Sequence, residues 1–405
     1  MSVGRREWKT LFAAQLGWML DGMDVMLYAF ALTTVQKEFG LSSAAAGSVA
    51  SYALITSAVG GALAGYFADR YGRARVLVWS ILTYSVFTGL TATAGSLWEL
   101  ALWRGLVGIG LGAEWSAGTV LVSETWPAKY RGRAIGFVQG GWAIGYSLAA
   151  ALAAAILPHY GWRYLFAIGT LPALLAIWVQ RHVEEPEVWR RSRETAPALG
   201  LGEALRTLVR PPLVRRVATV TTICSFVLFA YWGLFTWTPA YLASPVEKGG
   251  AGLGIVKSLG WVLAVQAGSF LGYMFCGWVS DRLGRRPAFM FFTLSAAALI
   301  PFYARPHADV RVLLVLGPLI GFFGHGYFSI FGSMLSELFP SAIRGTAQGL
   351  CYNFGRGVSA LAPIVVGAVA DQRGIGAGLV ITAGFFAVGG LLVMLLPETK
   401  GGELA

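Results

Sequence analysis

The chain has 405 residues, of which 56% are hydrophobic and only 13% charged, with glycine at 53 positions. That is too little polar side chain to cover a water-soluble globule of this length, so the chain must meet lipid. The formal net charge of +11 would suit a nucleic-acid partner if the cations shared one face, but they fall in short segments between apolar runs of spanning length, which is the pattern of a membrane topology.

Arg5, Arg6 and Lys9 precede an apolar run over about 10–35. It is too long for a cleavable signal and lacks a small-residue cleavage site, so it is expected to stay as the first span. Further runs fall near 45–68, 76–95, 98–122, 134–156 and 162–180, and, after a cationic connector, near 217–242, 254–279, 287–304, 310–334, 346–370 and 375–396. Each holds roughly 20 residues, enough to cross about 30 Å of hydrocarbon at about 1.5 Å per residue. The expected organisation is an N-terminal half over 1–180, a connector over 181–216 and a C-terminal half over 217–405, with six spans in each half. The connector, with EEPEVWRRSRE and Pro211-Pro212, reads as an interfacial linker carrying a short amphipathic helix. Placing the N-terminus inside puts Arg70, Arg73, Arg75, Lys129, Arg131, Arg133, the connector, Arg282, Arg285 and Arg286 in the cytoplasm and leaves few cations outside. Both termini are then cytoplasmic, as an even number of spans requires.

The chain repeats itself. GYFADRYGRAR from Gly65 to Arg75 returns as GWVSDRLGRR from Gly277 to Arg286, which sets Asp69 and Asp281 212 residues apart. Glu124, Trp126-Pro127 and Arg131-Gly132 return as Glu337, Phe339-Pro340 and Arg344-Gly345 at an offset of 213. One structural half is therefore used twice.

The G-x-x-x-D-R-x-G-R pattern, the E-x-x-P-x-x-x-R-G pattern in both halves, and Pro397-Glu398-Thr399-Lys400-Gly401 resemble the major facilitator superfamily over the whole chain. One departure is that the cation closing the pattern is Arg286 in the second copy but is displaced by one, to Arg75, in the first. Asp21 and Asp24, Arg104 with Glu114-Trp115, and Tyr352-Asn353-Phe354-Gly355-Arg356 further resemble its metabolite:proton symporter branch, which includes carriers of sialic acid, lactate and related organic anions. The resemblance implies an all-α membrane protein of twelve transmembrane helices in two pseudo-symmetric six-helix halves. It also implies a cytoplasmic gating network drawn from Asp69, Arg70, Arg73, Glu124, Arg131, Asp281, Arg282, Arg285, Glu337 and Arg344. Against that latch stands the simpler reading, in which the arginines only set topology.

Charge inside a span is costly and persists where it faces a cavity or a partner. Asp21 and Asp24, three apart, share a helix face near mid-membrane; they repel, so at least one is expected to take up a proton near neutral pH. Either they couple protons to transport, or they pair with Arg104 as a fixed packing lock, or Asp21 caps a helix break beside Gly22. Glu114 is a further proton candidate or a buried neutral spacer. Arg104 and Arg356 place one guanidinium in each half, and two cations facing a central cavity make an anion site. The competing readings are a salt bridge of Arg104 with Asp24 or Glu114, and a helix tie for Arg356. Aromatic and amide residues complete a candidate cavity: Tyr28, Gln139, Trp142 and Tyr146 on one side, and Tyr231, Trp232, Trp237, His325, Tyr352 and Asn353 on the other. Gln139 and Asn353 stand out because an amide in lipid wants a partner. His325, alone, argues against metal ligation and leaves a hydrogen-bonded core role or a proton role. Glycines such as Gly60, Gly61, Gly65, Gly112 and Gly145 offer faces for close packing or for sliding.

Cys224, Cys276 and Cys351 lie in apolar runs without C-x-x-C spacing, so neither disulfide nor metal is indicated. No phosphate-binding loop is present, so no nucleotide or other cofactor is expected. A membrane enzyme would need a nucleophile or metal cluster that the spans lack, and a nutrient sensor built on this frame would carry a long tail. The expected function is proton-coupled symport of a small organic anion, a carboxylate, by alternating access. The alternative is a facilitator or proton antiporter for a different solute. Expected partners are the acid, protons and lipid, with no nucleic acid, in a single chain placed in the cell membrane.

Overall fold

The computed structural model describes residues 4–40, 43–195, 200–243, 245–253, 255–305 and 309–402. Among them there is no strand. The first four spans are single helices: α1 (Arg5–Phe39), α2 (Ser43–Tyr71), α3 (Arg73–Thr91) and α4 (Leu97–Thr125). The fifth and sixth follow as α5 (Arg131–Ile168) and α6 (Pro172–His182), turning at Gly161, whose φ of 78° is one that a side chain would strain. Pro158 just before it withholds a helical N–H, so chain and turn agree.

The connector carries α7 (Glu187–Thr195) and α8 (Leu201–Leu208), two short helices where one amphipathic helix is expected from the sequence. Then come α9 (Leu213–Ala243), α10 (Ile255–Leu283) and α11 (Arg285–Tyr303). The tenth span is broken into α12 (Val310–Gly326) and α13 (Phe328–Leu338), and the eleventh into α14 (Arg344–Ser359) and α15 (Ala362–Arg373), the latter starting with Pro363 in its first turn. The last is α16 (Ile375–Leu392). Nine segments among the described residues are long and apolar enough to cross a membrane, and 128–182, at 55 residues, holds two crossings; α1 and α2 complete the twelve. Large apolar side chains stay exposed around the bundle, among them Leu174, Ile364 and Leu395, a belt that only lipid would cover.

Packing obeys the repeat. In the first half α1 lies on α5, α2 on α4, and α3 on α4 and α6; in the second α9 lies on α14, α10 on α12, and α11 on α12 and α16. The halves meet along two seams, α5 on α10 and α2 on α14, which the pseudo-twofold relates. Both seams run backbone to backbone. A Cβ on Gly345 would sit 2.6 Å from the Gly65 carbonyl oxygen, and one on Gly136 2.5 Å from that of Tyr273. By contrast Gly112 and Gly145 pack within the first half, against Ser57 and Met19. The glycines thus divide into those that fix a half and those, such as Gly61 and Gly65, that lie where the halves part.

Candidate functional site

At the connector end, the two seams are tied by carboxylates that cap helices of the opposite half. Asp69, near the end of α2, accepts from the backbone N–H of Gly345 (3.0 Å) and Thr346 (2.7 Å) and from the Thr346 hydroxyl (2.7 Å). Asp281, near the end of α10, accepts from Gly132 N and Arg133 N, both at 2.9 Å. Each carboxylate sits at the positive end of the helix dipole of α14 or α5.

Arg73 and Arg285, fully buried, hold these acids from behind: Arg73 lies 3.1 Å from Asp69 and donates to Glu124 at 2.9 Å, and Arg285 lies 2.7 Å from Asp281 and donates to Glu337 at 2.9 Å. Glu124 is in turn paired with Arg344, and Glu337 with Arg131 at 2.8 Å, both across the halves. Arg70 and Arg282, expected from the sequence in this network, do not join it. They follow Asp69 and Asp281 by one residue, about 100° round the helix, and point outward: Arg70 donates to the Tyr66 hydroxyl and Arg282 stacks on Trp278.

Two further acids belong to the network and were missed in the sequence. Glu185 accepts from the N–H groups of Arg73, Ala74 and Arg75 at the start of α3, and Glu398 from those of Arg285 and Arg286 at the start of α11. They lie 213 residues apart, the same offset as Glu124 and Glu337, which is the signal that could have found them. Burial raises the Glu185 carboxyl above its ordinary range despite three N–H donors. Burial acts the same way on Glu398, but four backbone N–H groups outweigh it and hold that carboxyl low. The connector adds a strap, since Trp189 of α7 donates to the Asp69 carbonyl at 2.9 Å.

Asp69→Asn is expected to loosen this end. Asparagine keeps one acceptor but removes the charge that Arg73 and two N–H groups face, a loss of about 1 to 3 kcal/mol, or roughly five- to a hundred-fold in the ratio of open to closed states. Gln348, buried and bonded across the seam to Thr119 at 2.6 Å, gives the reporter. In a chain freed of Cys224, Cys276 and Cys351, a Gln348→Cys thiol should label faster with maleimide when Asp69 is Asn. An unchanged rate would leave the arginines with topology alone.

Beyond the sealed end lies a cavity of about 480 Å³ between the halves, lined by residues of α1, α2, α4, α5, α9, α10, α12, α14 and α15. Arg104 and Arg356 both line it. Arg104 donates from Nη1 to Asp24 Oδ2 at 3.3 Å, and its guanidinium lies over the rings of Tyr28 (5.3 Å) and Phe166 (5.6 Å). Asp24 also accepts from the Thr88 hydroxyl. Arg356 is 5% exposed, and its Nε has no partner among the described residues. Arg104 Nε is likewise without one. Trp232 lines the cavity, as do Tyr28, Trp142, Tyr146 and Tyr231.

Other sequence candidates lie outside its lining. Asp21 is fully buried one turn from Asp24, and neither of its oxygens has a partner among the described residues. Glu114 is wedged between Gly17 of α1 and Ser80 of α3, whose hydroxyl is 3.4 Å from Oε2. Tyr352 stacks on Trp115 across the halves, with ring centroids 3.7 Å apart. Asn353 donates to Gly349 O (2.9 Å) and lies against Gly61. These two tie α14 to α4 and α2. Gln139 is buried in α5, its Oε1 unpartnered among the described residues. Trp237 donates to Pro363 O at 3.0 Å, where the eleventh span restarts. Ser57, Thr238 and Gln266 line the cavity and were not singled out from the sequence. For Gln266 the signal was present, because it is an amide in an apolar run, as Gln139 and Asn353 are.

Comparison with known proteins agrees with this architecture. A family model described as Major Facilitator Superfamily matches residues 16–256 and 251–404. The cis,cis-muconate transport protein of Acinetobacter baylyi is 32% identical over 407 residues, covering 98% of this chain and 96% of that one. The niacin transporter NiaP of the same species is 30% identical over 432 residues, covering 100% and 97%. Among solved structures, the proton:xylose symporter XylE bound to 6-bromo-6-deoxy-D-glucose superposes with a TM-score of 0.82 at 21% identity, covering 98% of each chain, a likeness of fold.

Proposed function

The chain belongs to the major facilitator superfamily and is a multi-pass membrane transporter, and on that premise we propose that it carries a small organic carboxylate together with protons. The observation that carries this reading is the pair of guanidinium groups, Arg104 from the first half and Arg356 from the second, in one cavity whose remaining lining is mostly aromatic and aliphatic. A planar fork binds a carboxylate through paired hydrogen bonds, and a site shared by both halves is one that rocking can close. The muconate carrier among the relatives supports an organic anion.

Coupling follows from the competition for Arg104. While Asp24 is ionised it occupies the guanidinium that the substrate needs; a proton on Asp24 neutralises it and frees the fork for the incoming carboxylate. Asp21 and Glu114, buried behind the cavity, are the further acids through which the proton can be held or passed. When the halves rock, the caps of Asp69 and Asp281 part together, because the pseudo-twofold makes them the same contact made twice. The division into 1–180, 181–216 and 217–405 is the mechanical one, with α7 and α8 as the link. On this reading the connector end and both termini, where lysine and arginine concentrate, face the cytoplasm, and the working unit is one chain in the cell membrane.

The test compares an acid with its neutral amide. Binding to purified protein at fixed pH should favour the acid by at least about a hundred-fold, the scale of an ion pair withdrawn from a buried site. An amide that binds as well as the acid sinks the organic-anion reading. Uptake into proteoliposomes with and without an inward proton gradient tests the coupling separately.

A further inference from the structure

The connector carries a surface that neither the cavity nor the sealed end uses. Along α8 the side chains fall into three stripes, each built at intervals of four residues. Ala204 and Leu208 are buried where α8 packs on α9. Leu201, Leu205 and Val209 are 39%, 38% and 65% exposed, and the Val209 N–H still donates to the Leu205 carbonyl at 3.2 Å, so the third residue extends the line of the first two. Arg206 and Arg210 each follow a residue of that line by one, about 100° further round, and are exposed as well. The exposed apolar stripe therefore lies between the stripe that grips the protein and the stripe that carries charge.

Charge is unbalanced along this segment. Between 201 and 216 four arginines stand against one acid, Glu203. Arg216 donates to the Leu338 carbonyl at 3.1 Å. Arg206, Arg210 and Arg215 are exposed and pair with no acid among the described residues, whereas in α7 Arg190 lies 3.6 Å from Glu184 and Arg191 3.4 Å from Glu187. Three cations without acids thus adjoin an apolar stripe without a protein cover.

We propose that this surface binds the anionic headgroups of phospholipids. α8 lies in the membrane interface with its apolar stripe among the upper acyl carbons, and the stems of Arg206, Arg210 and Arg215 carry their charges to the level of the phosphates. Two features favour lipid over a protein partner. α9, on which α8 packs, also touches the turn that ends α16, where Met394 and Leu395 are 54% and 70% exposed, so the stripe continues the lipid-facing belt at that end of the bundle. Three side chains also offer far less than the roughly 1,000 Å² that a stable protein interface buries, while a bilayer supplies apolar contact and headgroup charge together. The link between the halves is then held at two points, by Trp189 of α7 to the Asp69 carbonyl and by α8 to the bilayer. The inference is independent of the cargo.

The experiment uses the full chain freed of Cys224, Cys276 and Cys351 and given a single cysteine by Leu205→Cys or by Glu203→Cys, the two positions lying about 160° apart on the helix. Each is labelled with nitrobenzoxadiazole and reconstituted into phosphatidylcholine vesicles holding a small fraction of nitroxide lipid, with either a phosphatidylglycerol or a phosphatidylcholine headgroup. The labelled lipid is in both leaflets, so the result does not depend on which way the chain faces. The fluorophore at 205 should be quenched at least about two-fold more than the one at 203, and nitroxide phosphatidylglycerol should quench it about three- to ten-fold more effectively than nitroxide phosphatidylcholine. Adding Arg206→Gln, Arg210→Gln and Arg215→Gln should bring that preference close to one, as should about 1 M salt. Equal quenching at 205 and 203 overturns the proposal by placing the stripe in water or against another protein. Equal quenching by the two headgroups, or a preference that survives the triple substitution, overturns it by leaving a helix on lipid with no headgroup site. The comparisons of position and of headgroup, made with the arginines in place, stand even where the triple variant fails to fold.

Discussion

Asp24→Asn and Asp21→Asn are each expected to abolish accumulation driven by a proton gradient while exchange of substrate for substrate persists. One coupled proton per anion can sustain up to about ten-fold accumulation for each pH unit of gradient, and the variants should fall to none. Asparagine at 24 imitates the protonated acid: it no longer holds Arg104 at 3.3 Å as a counter-ion, so the fork is open to substrate at every pH and binding ceases to wait for a proton. At 21 the argument is different. Both oxygens of Asp21 are buried without a bond, an environment costly for an anion and tolerable for an acid or an amide, so asparagine should fold normally and lose only the exchangeable proton. Counterflow and gradient-driven uptake in the same proteoliposomes separate the two properties. If both variants still concentrated substrate, the proton role would pass to Glu114, whose Oε1 is also unpartnered among the described residues.

Arg104→Ala is expected to weaken anion binding by about two to four orders of magnitude, from the roughly 3 to 5 kcal/mol that follows removal of one partner from a buried pair. The change strikes twice, because it takes a hydrogen-bonding fork from the cavity and leaves Asp24 with Thr88 as its remaining hydrogen-bond donor among the described residues. Arg104→Lys keeps the charge but not the planar fork, and it should recover only part of the loss. The double variant Asp24→Asn with Arg104→Ala separates the effects. It relieves the stranded carboxylate, so stability should return toward that of the unaltered protein while anion affinity stays low. Affinity that returned with stability would show that Arg104 serves Asp24 and not the substrate. Arg356→Ala should weaken binding comparably, since Arg356 lines the same cavity and its Nε is free of partners among the described residues.

The reach of the sequence is seen best in the repeat. Asp69 with Asp281 and Glu124 with Glu337 were legible as equivalent positions, and the structure gives each pair equivalent contacts in the two halves. The rule stopped short at Arg70 and Arg282, which belong to the motif as letters but face away from the network, because a step of one residue turns a helix side chain out of reach of its neighbour. Arg104 shows a second limit. Pairing with Asp24 and facing a cavity were competing readings in the sequence, and the structure places the side chain where it does both. Tyr352 and Asn353 share a helix face with Arg356 but lie one turn nearer the sealed end, where α14 packs directly on α4 and α2, and so they fall outside the cavity lining.

The sequence by itself determined the membrane class, the twelve spans, the doubled architecture and the family, because lipid reads hydropathy along one dimension and a repeat keeps its offset whatever the fold does with it. Only the tertiary structure decided which buried groups meet. Asp21 and Asp24 are a turn apart on one helix, yet Asp24 is bonded to Arg104 of α4 and Thr88 of α3 and Asp21 to no described residue, a difference set by how α1 packs on its neighbours. Such partnerships depend on distances of a few ångströms between residues far apart in the chain, and on which hydrogen-bonding atoms are already taken by the backbone, neither of which is written in the order of the letters.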